Sequence, residues 1–143
     1  IVLGCAGQAE AGDGRWRFGV DLYGRSYHHD LPTGERDRLN EANIGWGVHG
    51  AYRTGKHRFV VEAGTFLNSY YDQAYWVGGQ YTYRLLKYFE PGIMVRHWET
   101  EHGTYPEKPM TKYTMFSVPF TDQFRASFIV RSSAYFAFLS YDF

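Results

Sequence analysis

A serine hydroxyl becomes a nucleophile, or a group that binds and orients an acyl acceptor, only when a base such as histidine stands beside it. Asn68-Ser69 closes one alternating apolar stretch of this chain, and His28-His29 follows another. If those stretches are the third and first strands of one sheet, one strand lies between them. Their tops are then about 10 Å apart, a gap that loop side chains can bridge. Acyl chemistry through Ser69, with His28 or His29 as base, is therefore open. The plainer role for Ser69 is to cap a turn with Asn68. Metal chemistry is poorly provided for. His28-His29-Asp30, His97 and His102 come with no Cys or carboxylate pattern that completes a standard site. Gly78-Gly79 falls inside an alternating stretch, where it relieves crowding or kinks a wall rather than cradling phosphate. No cofactor is implied.

The elements that must position these residues are strands. Sixteen glycines and many β-branched and aromatic residues argue against long helices. Alternation with a period of two runs in segments of about ten residues, the length of a tilted membrane strand. In Trp16 to Tyr27, Trp16, Phe18, Val20 and Leu22 share one face, and Arg17, Asp21, Tyr23 and Arg25 share the other. Asn43 to Tyr52, Arg58 to Leu67, and the stretches holding Tyr75 to Arg84 and Phe89 to Arg96 repeat the pattern. So do Lys112 to Phe120, Phe124 to Arg131 and Tyr135 to Phe143. Eight segments close an antiparallel barrel. Closure removes the unpaired edges that hydrocarbon does not tolerate and suits a monomer in a lipid bilayer.

Composition alone leaves a soluble β-sandwich or lipocalin-like barrel open. Mean hydropathy is −0.45, yet aromatic residues make up 20 % of the chain. A polar lumen inside an apolar, aromatic-girdled wall has that composition. Net charge is zero, which excludes a basic stripe for nucleic acid. The connections favour the membrane. Those at 53–56, 85–87 and 121–123 are tight, whereas His28 to Glu41 and Trp98 to Thr111 are long. Short periplasmic turns and longer external loops are the outer-membrane pattern. The expectation is an all-β, eight-stranded antiparallel transmembrane β-barrel over residues 12–143, in the outer membrane of a Gram-negative bacterium. The terminal Phe143, with aromatics at alternate positions before it, resembles the signal read by the barrel assembly machinery.

Residues 1–11 read as the remnant of a signal peptide. An apolar piece ending at Ala6 precedes Ala9-Glu10-Ala11, a small-x-small cleavage pattern. Cleavage there removes Cys5. The alternative is that Val2-Leu3-Gly4-Cys5 is a lipobox with Cys5 lipidated. With one cysteine, no intrachain disulfide forms.

Three stretches carry a family resemblance. Phe66-Leu67-Asn68-Ser69-Tyr70-Tyr71-Asp72, running on to Gly78, resembles the stretch around the catalytic Asp-Ser of the PagP-type lipid A palmitoyltransferases. Arg38-Leu39-Asn40-Glu41 resembles the Arg-Tyr-Asn-Glu that opens that family's second strand. Tyr135-Phe136-Ala137, the penultimate aromatic and the final Phe143 resemble its last strand. The resemblance covers most of the chain from about Arg38 onward. It implies transfer of a palmitoyl chain from phospholipid to lipid A, without a cofactor. Ser69 would be catalytic, Asn68 would stand where the family has Asp, and Asp72 or Asp30 could supply the missing carboxylate. The family's histidine at the top of strand one has no counterpart from Tyr23 to Tyr27, so His28 or His29 would serve. Phe66, Trp76, Met94 and Phe138 would line the acyl pocket, or simply fill a narrow lumen. Gln80 would take the place of a glycine at the pocket floor, hydrogen-bonded to Arg84 or Glu62, or, with the register one residue back, Gly79 would be the floor. The family's short N-terminal helix has no room after cleavage at Ala11. Two rivals stand beside transfer: lipid A deacylation by the same pair, and a structural or adhesive barrel without catalysis.

Overall fold

The computed structural model describes residues 14–29, 31–36, 38–101 and 110–143. Eight strands follow one another: β1 (Arg15–His28), β2 (Gly45–Thr54), β3 (His57–Leu67), β4 (Gln73–Tyr83), β5 (Glu90–Thr100), β6 (Met110–Pro119), β7 (Phe124–Val130) and β8 (Ala134–Asp142). Each pairs antiparallel with the next, and β8 returns to β1 to close the barrel. One helical turn, α1 (Thr33–Arg36), interrupts the β1–β2 connection. Residues 1–11 with Cys5, and Asp30 and His102, lie outside the described residues. β5 runs to Thr100 and β6 starts at Met110, so these strands extend further into the long connection than the alternation indicates.

The two faces of the wall settle what composition leaves open. Phe18 is 68 % exposed and Ile44 72 %, and Leu22, Trp46, Val61, Val77 and Ile93 also lie bare on the outside. Inside, Glu90 is 0 % and Arg96 1 % exposed. A barrel in water would hide the first set and present the second. An apolar outer band around a charged interior is stable only against hydrocarbon.

The connections β2–β3, β4–β5 and β6–β7 gather at one end, the turn end; the two long ones, β1–β2 and β5–β6, lie at the loop end with β3–β4 and β7–β8. Gly55, in the β2–β3 turn, adopts φ +53°, a left-handed conformation that glycine takes without steric cost. A β-bulge interrupts β1: Tyr23 faces Phe138 and Arg25 faces Ala137, with Gly24 unpaired between them. The extra residue shifts the phase of the alternation. Arg25, which strict alternation sends inward, is therefore exposed, and Ser26 and His28 turn into the lumen.

The lumen is layered. Near the loop end Tyr23, Phe66, Trp76, Met94, Met115, Ile129 and Phe138 pack as one cluster, with Trp98 and Phe136 against it. Trp76 lies across Gly64 and Gly47. A Cβ on Gly64 would come within 2.4 Å of the indole, and one on Gly47 within 3.0 Å. Beneath the rings Glu62 accepts from Arg96 Nε at 2.7 Å and Nη2 at 3.0 Å, and from Gln80 at 2.7 Å. The Arg96 guanidinium sits 4.9 Å from the Tyr23 and Trp76 ring centres and also bonds the Tyr23 hydroxyl. Toward the turn end a second ionic layer follows. Glu90 binds Arg53, Arg84 and Arg125, and Asp142 binds His49, Arg58 and Arg125.

Candidate active site at the loop end

The bulge at Gly24 decides which histidine meets the serine. With His28 turned inward, its Nε2 lies 3.3 Å from Ser69 Oγ, and both residues are buried. His29, one residue on, is exposed and stacks on Tyr135 with ring centres 4.8 Å apart. Of the two histidines, the fold brings only His28 to Ser69. The hydroxyl donates to Nε2 when the ring proton sits on Nδ1, the arrangement a general base requires. His28 Nδ1 is buried and has no hydrogen-bond partner. The ring is held instead by Phe136, packed edge-on at 6.5 Å, and by a bond from the His28 backbone N–H to Glu41 Oε1 at 3.4 Å.

Ser69 is fixed by the loop between β3 and β4. Asn68 Oδ1 accepts from the backbone N–H groups of Tyr70 at 2.8 Å and Asp72 at 3.0 Å, a local side-chain cap on the turn. Asn68 N–H donates to the Asp72 carbonyl at 2.9 Å, and Tyr71 takes a left-handed φ of 61° to complete the loop. Asp72 thus closes the loop through its backbone and does not bond His28 Nδ1. The β1–β2 connection locks onto this loop. Asn40 Nδ2 donates to the Asn68 carbonyl at 3.1 Å, and Asn40 N–H to the Ser69 carbonyl at 2.8 Å. Asn43 Nδ2 donates to the carbonyls of Asn40 and Leu67. Asn40 and Asn43 are positioning residues that the sequence reading passes over. The signal was available: two asparagines three residues apart, where a long loop rejoins a strand, commonly satisfy backbone groups.

Asn68 has a second capacity. Its Nδ2 is buried without a partner, an N–H donor beside the serine. Ser69 and Asn68 both line a narrow cavity of about 40 Å³ that descends into the apolar half of the lumen. About 10–15 Å³ of such space holds one water, so the cavity is slim. Its walls include Phe66, Tyr113, Ile129 and Phe136, and Arg96 lies at its inner end. Of the residues named as candidates for an acyl pocket, Phe66 borders this cavity. Trp76, Met94 and Phe138 belong to the packed ring cluster and do not border the open space. Gln80 sits with Glu62, beneath the rings, and is not the cavity floor. Its level is set by pairing with Val60 and Met94, one inward step nearer the turn end than Gly78 and Arg96. Among the described residues, no group of three or more His, Cys, Asp or Glu could hold a metal ion.

No family model and no curated protein matches the chain. Solved structures do. A de novo designed transmembrane β-barrel superposes with a TM-score of 0.57 at 12 % identity, covering 94 % of this chain and 100 % of the design. The Yersinia pestis outer membrane protein Ail gives 0.45 at 10 % identity, over 90 % of this chain and 100 % of that one. Neisserial surface protein A gives 0.39 at 11 % identity, over 90 % and 96 %. With the closed sheet and its apolar outer face, the first of these likenesses makes the fold that of an eight-stranded antiparallel transmembrane β-barrel.

Proposed function

We propose that this chain is an outer-membrane acyltransferase that moves a palmitoyl chain from a phospholipid to lipid A. The observation that carries the reading is the buried contact of 3.3 Å between Ser69 Oγ and His28 Nε2, beside a slim, apolar-walled cavity. The resemblance of the Asn68-Ser69 stretch and of the last strand to the PagP-type enzymes supplies the substrates. The loop end faces outward and the turn end faces the periplasm, as short turns and long loops are arranged in outer-membrane barrels.

The chemistry follows from the geometry. His28 Nε2 takes the Ser69 proton as Oγ bonds to the ester carbonyl carbon of the phospholipid. The carbonyl electron pair moves onto oxygen, where the free Asn68 Nδ2 donates a hydrogen bond, as a neutral oxyanion donor does. The intermediate collapses, the C–O bond to glycerol breaks, and the lysophospholipid leaves with the proton from His28. A lipid A hydroxyl then gives its proton to His28 and attacks the acyl carbon, the bond from that carbon to Ser69 Oγ breaks, and His28 returns the proton to Oγ. Asn68 replaces the family's aspartate in position but not in charge, so it acts here on the carbonyl oxygen and the loop rather than on His28.

The test is transfer from labelled phospholipid to lipid A by the protein refolded in detergent. Ser69→Ala and His28→Ala should each lower the rate at least about a hundredfold while keeping the heat-modifiable mobility of a folded barrel. Near-normal transfer in Ser69→Ala removes the serine from the mechanism. One observation favours a second reading, a structural barrel without catalysis: His28 Nδ1 lacks the carboxylate that usually orients a catalytic histidine. Absence of transfer by the parent protein selects it.

A further inference from the structure

The turn end of the lumen holds a second cavity, of about 120 Å³, away from Ser69. Six arginines line it: Arg15, Arg17, Arg53, Arg58, Arg84 and Arg125. Against them stand Asp122 and Asp142 in the lining, and Glu90, which ties Arg53, Arg84 and Arg125 together. Among the described residues, six cations face three carboxylates, an excess of three positive charges. The arrangement is graded in depth. The side chains of Arg58 and Arg125 are 4 % and 2 % exposed, that of Arg53 16 % and that of Arg84 31 %.

An ionic lattice that only filled the barrel would balance its charge and its hydrogen bonds. This one does neither. Arg53 Nη1 and Arg125 Nε are buried N–H donors without a partner, and a buried donor is destabilising unless something accepts from it. Arg17 Nη1 donates to the Asp122 carbonyl at 3.0 Å. The open space is several times the 10–15 Å³ that holds one water, enough for a polyatomic anion. Guanidinium forks match the oxygens of phosphate-class anions.

We propose that this cavity is a binding site for a phosphate-class oxyanion, which supplies the missing negative charge and accepts from the free arginine donors. The inference stands apart from acyl transfer at Ser69. Two sources share this chemistry: free phosphate in the periplasm, and the phosphate of a lipid headgroup at the inner leaflet surface.

The experiment uses the full chain refolded in dodecyl maltoside, a detergent without phosphate. Inorganic phosphate and glycerol 3-phosphate are titrated separately by calorimetry at low ionic strength. The parent should bind at least one of them saturably. Arg15→Gln combined with Arg17→Gln, and Arg53→Gln alone, should each weaken binding about tenfold or more. Folded mobility on unheated gels checks each variant, and a variant that fails it leaves the comparison to the other. Tighter binding of glycerol 3-phosphate points to a lipid headgroup, and equal or weaker binding to free phosphate. The proposal is overturned if neither anion binds the parent saturably up to ~10 mM, or if the folded variants bind as the parent does.

Discussion

Replacing Glu62 with alanine should destabilise the barrel by about 3–5 kcal/mol, the cost of breaking one side of a buried ion pair. The structure supports the upper part of that range. Glu62 is 3 % and Arg96 1 % exposed, so bulk water does not screen the charge left on Arg96. Two charge-assisted bonds to Arg96 and one bond to Gln80 disappear together. What remains for the guanidinium is the Tyr23 hydroxyl and the faces of Tyr23, Trp76, Trp98 and Phe138. Ring faces return about 0.5–2 kcal/mol each but were already present in the parent, so they offset nothing new. The double variant Glu62→Leu with Arg96→Met removes both charges and should recover most of the loss. Equilibrium unfolding in urea from lipid vesicles, followed by the fluorescence of Trp76 and Trp98, measures both. The reasoning fails if Glu62→Ala costs less than about 1 kcal/mol, or if the double variant is no more stable than the single one.

Further expectations follow from the same layers. His29→Ala should leave transfer within about twofold of the parent, whereas His28→Ala lowers it at least about a hundredfold; equal losses would mean that the bulge at Gly24 does not set the register. Gly64→Val should cost several kcal/mol, since even its Cβ sits 2.4 Å from Trp76, and an unchanged urea midpoint would show that the indole does not rest there. Gln80→Gly should leave the preferred acyl-chain length unaltered, because Arg96 rather than Gln80 closes the cavity; a shift toward longer donors in a defined-chain phospholipid assay would restore Gln80 to the floor.

The wall was legible in the sequence because a strand reports its two faces at every residue. Ile44, Trp46 and Val48 point to lipid, and Val60, Glu62 and Phe66 point inward, as alternation requires. Alternation is blind to a phase change, however. Gly24 carries no side chain to mark the bulge, so Arg25 read as lumenal and nothing distinguished His28 from His29. The Ser69 and His28 tops looked about a strand apart in any register, which is why their meeting was foreseeable while its geometry was not. Asn40 acts through backbone carbonyls of another loop, and Asn43 through those of Asn40 and of Leu67 in β3, relations with no periodicity to betray them. Depth along the lumen was equally hidden. Gln80 and Arg96 differ by one inward step, and only cross-strand pairing shows which of them ends the cavity.

The most direct test of the central claim is mass spectrometry of lipid A from Gram-negative cells with and without this chain, alongside cells carrying Ser69→Ala. Acyl transfer through Ser69 and His28 predicts lipid A heavier by one palmitoyl group in cells making the parent protein, and no such species with Ser69→Ala. Lipid A that is unchanged, or lighter by one acyl chain, in cells making the folded parent would contradict it.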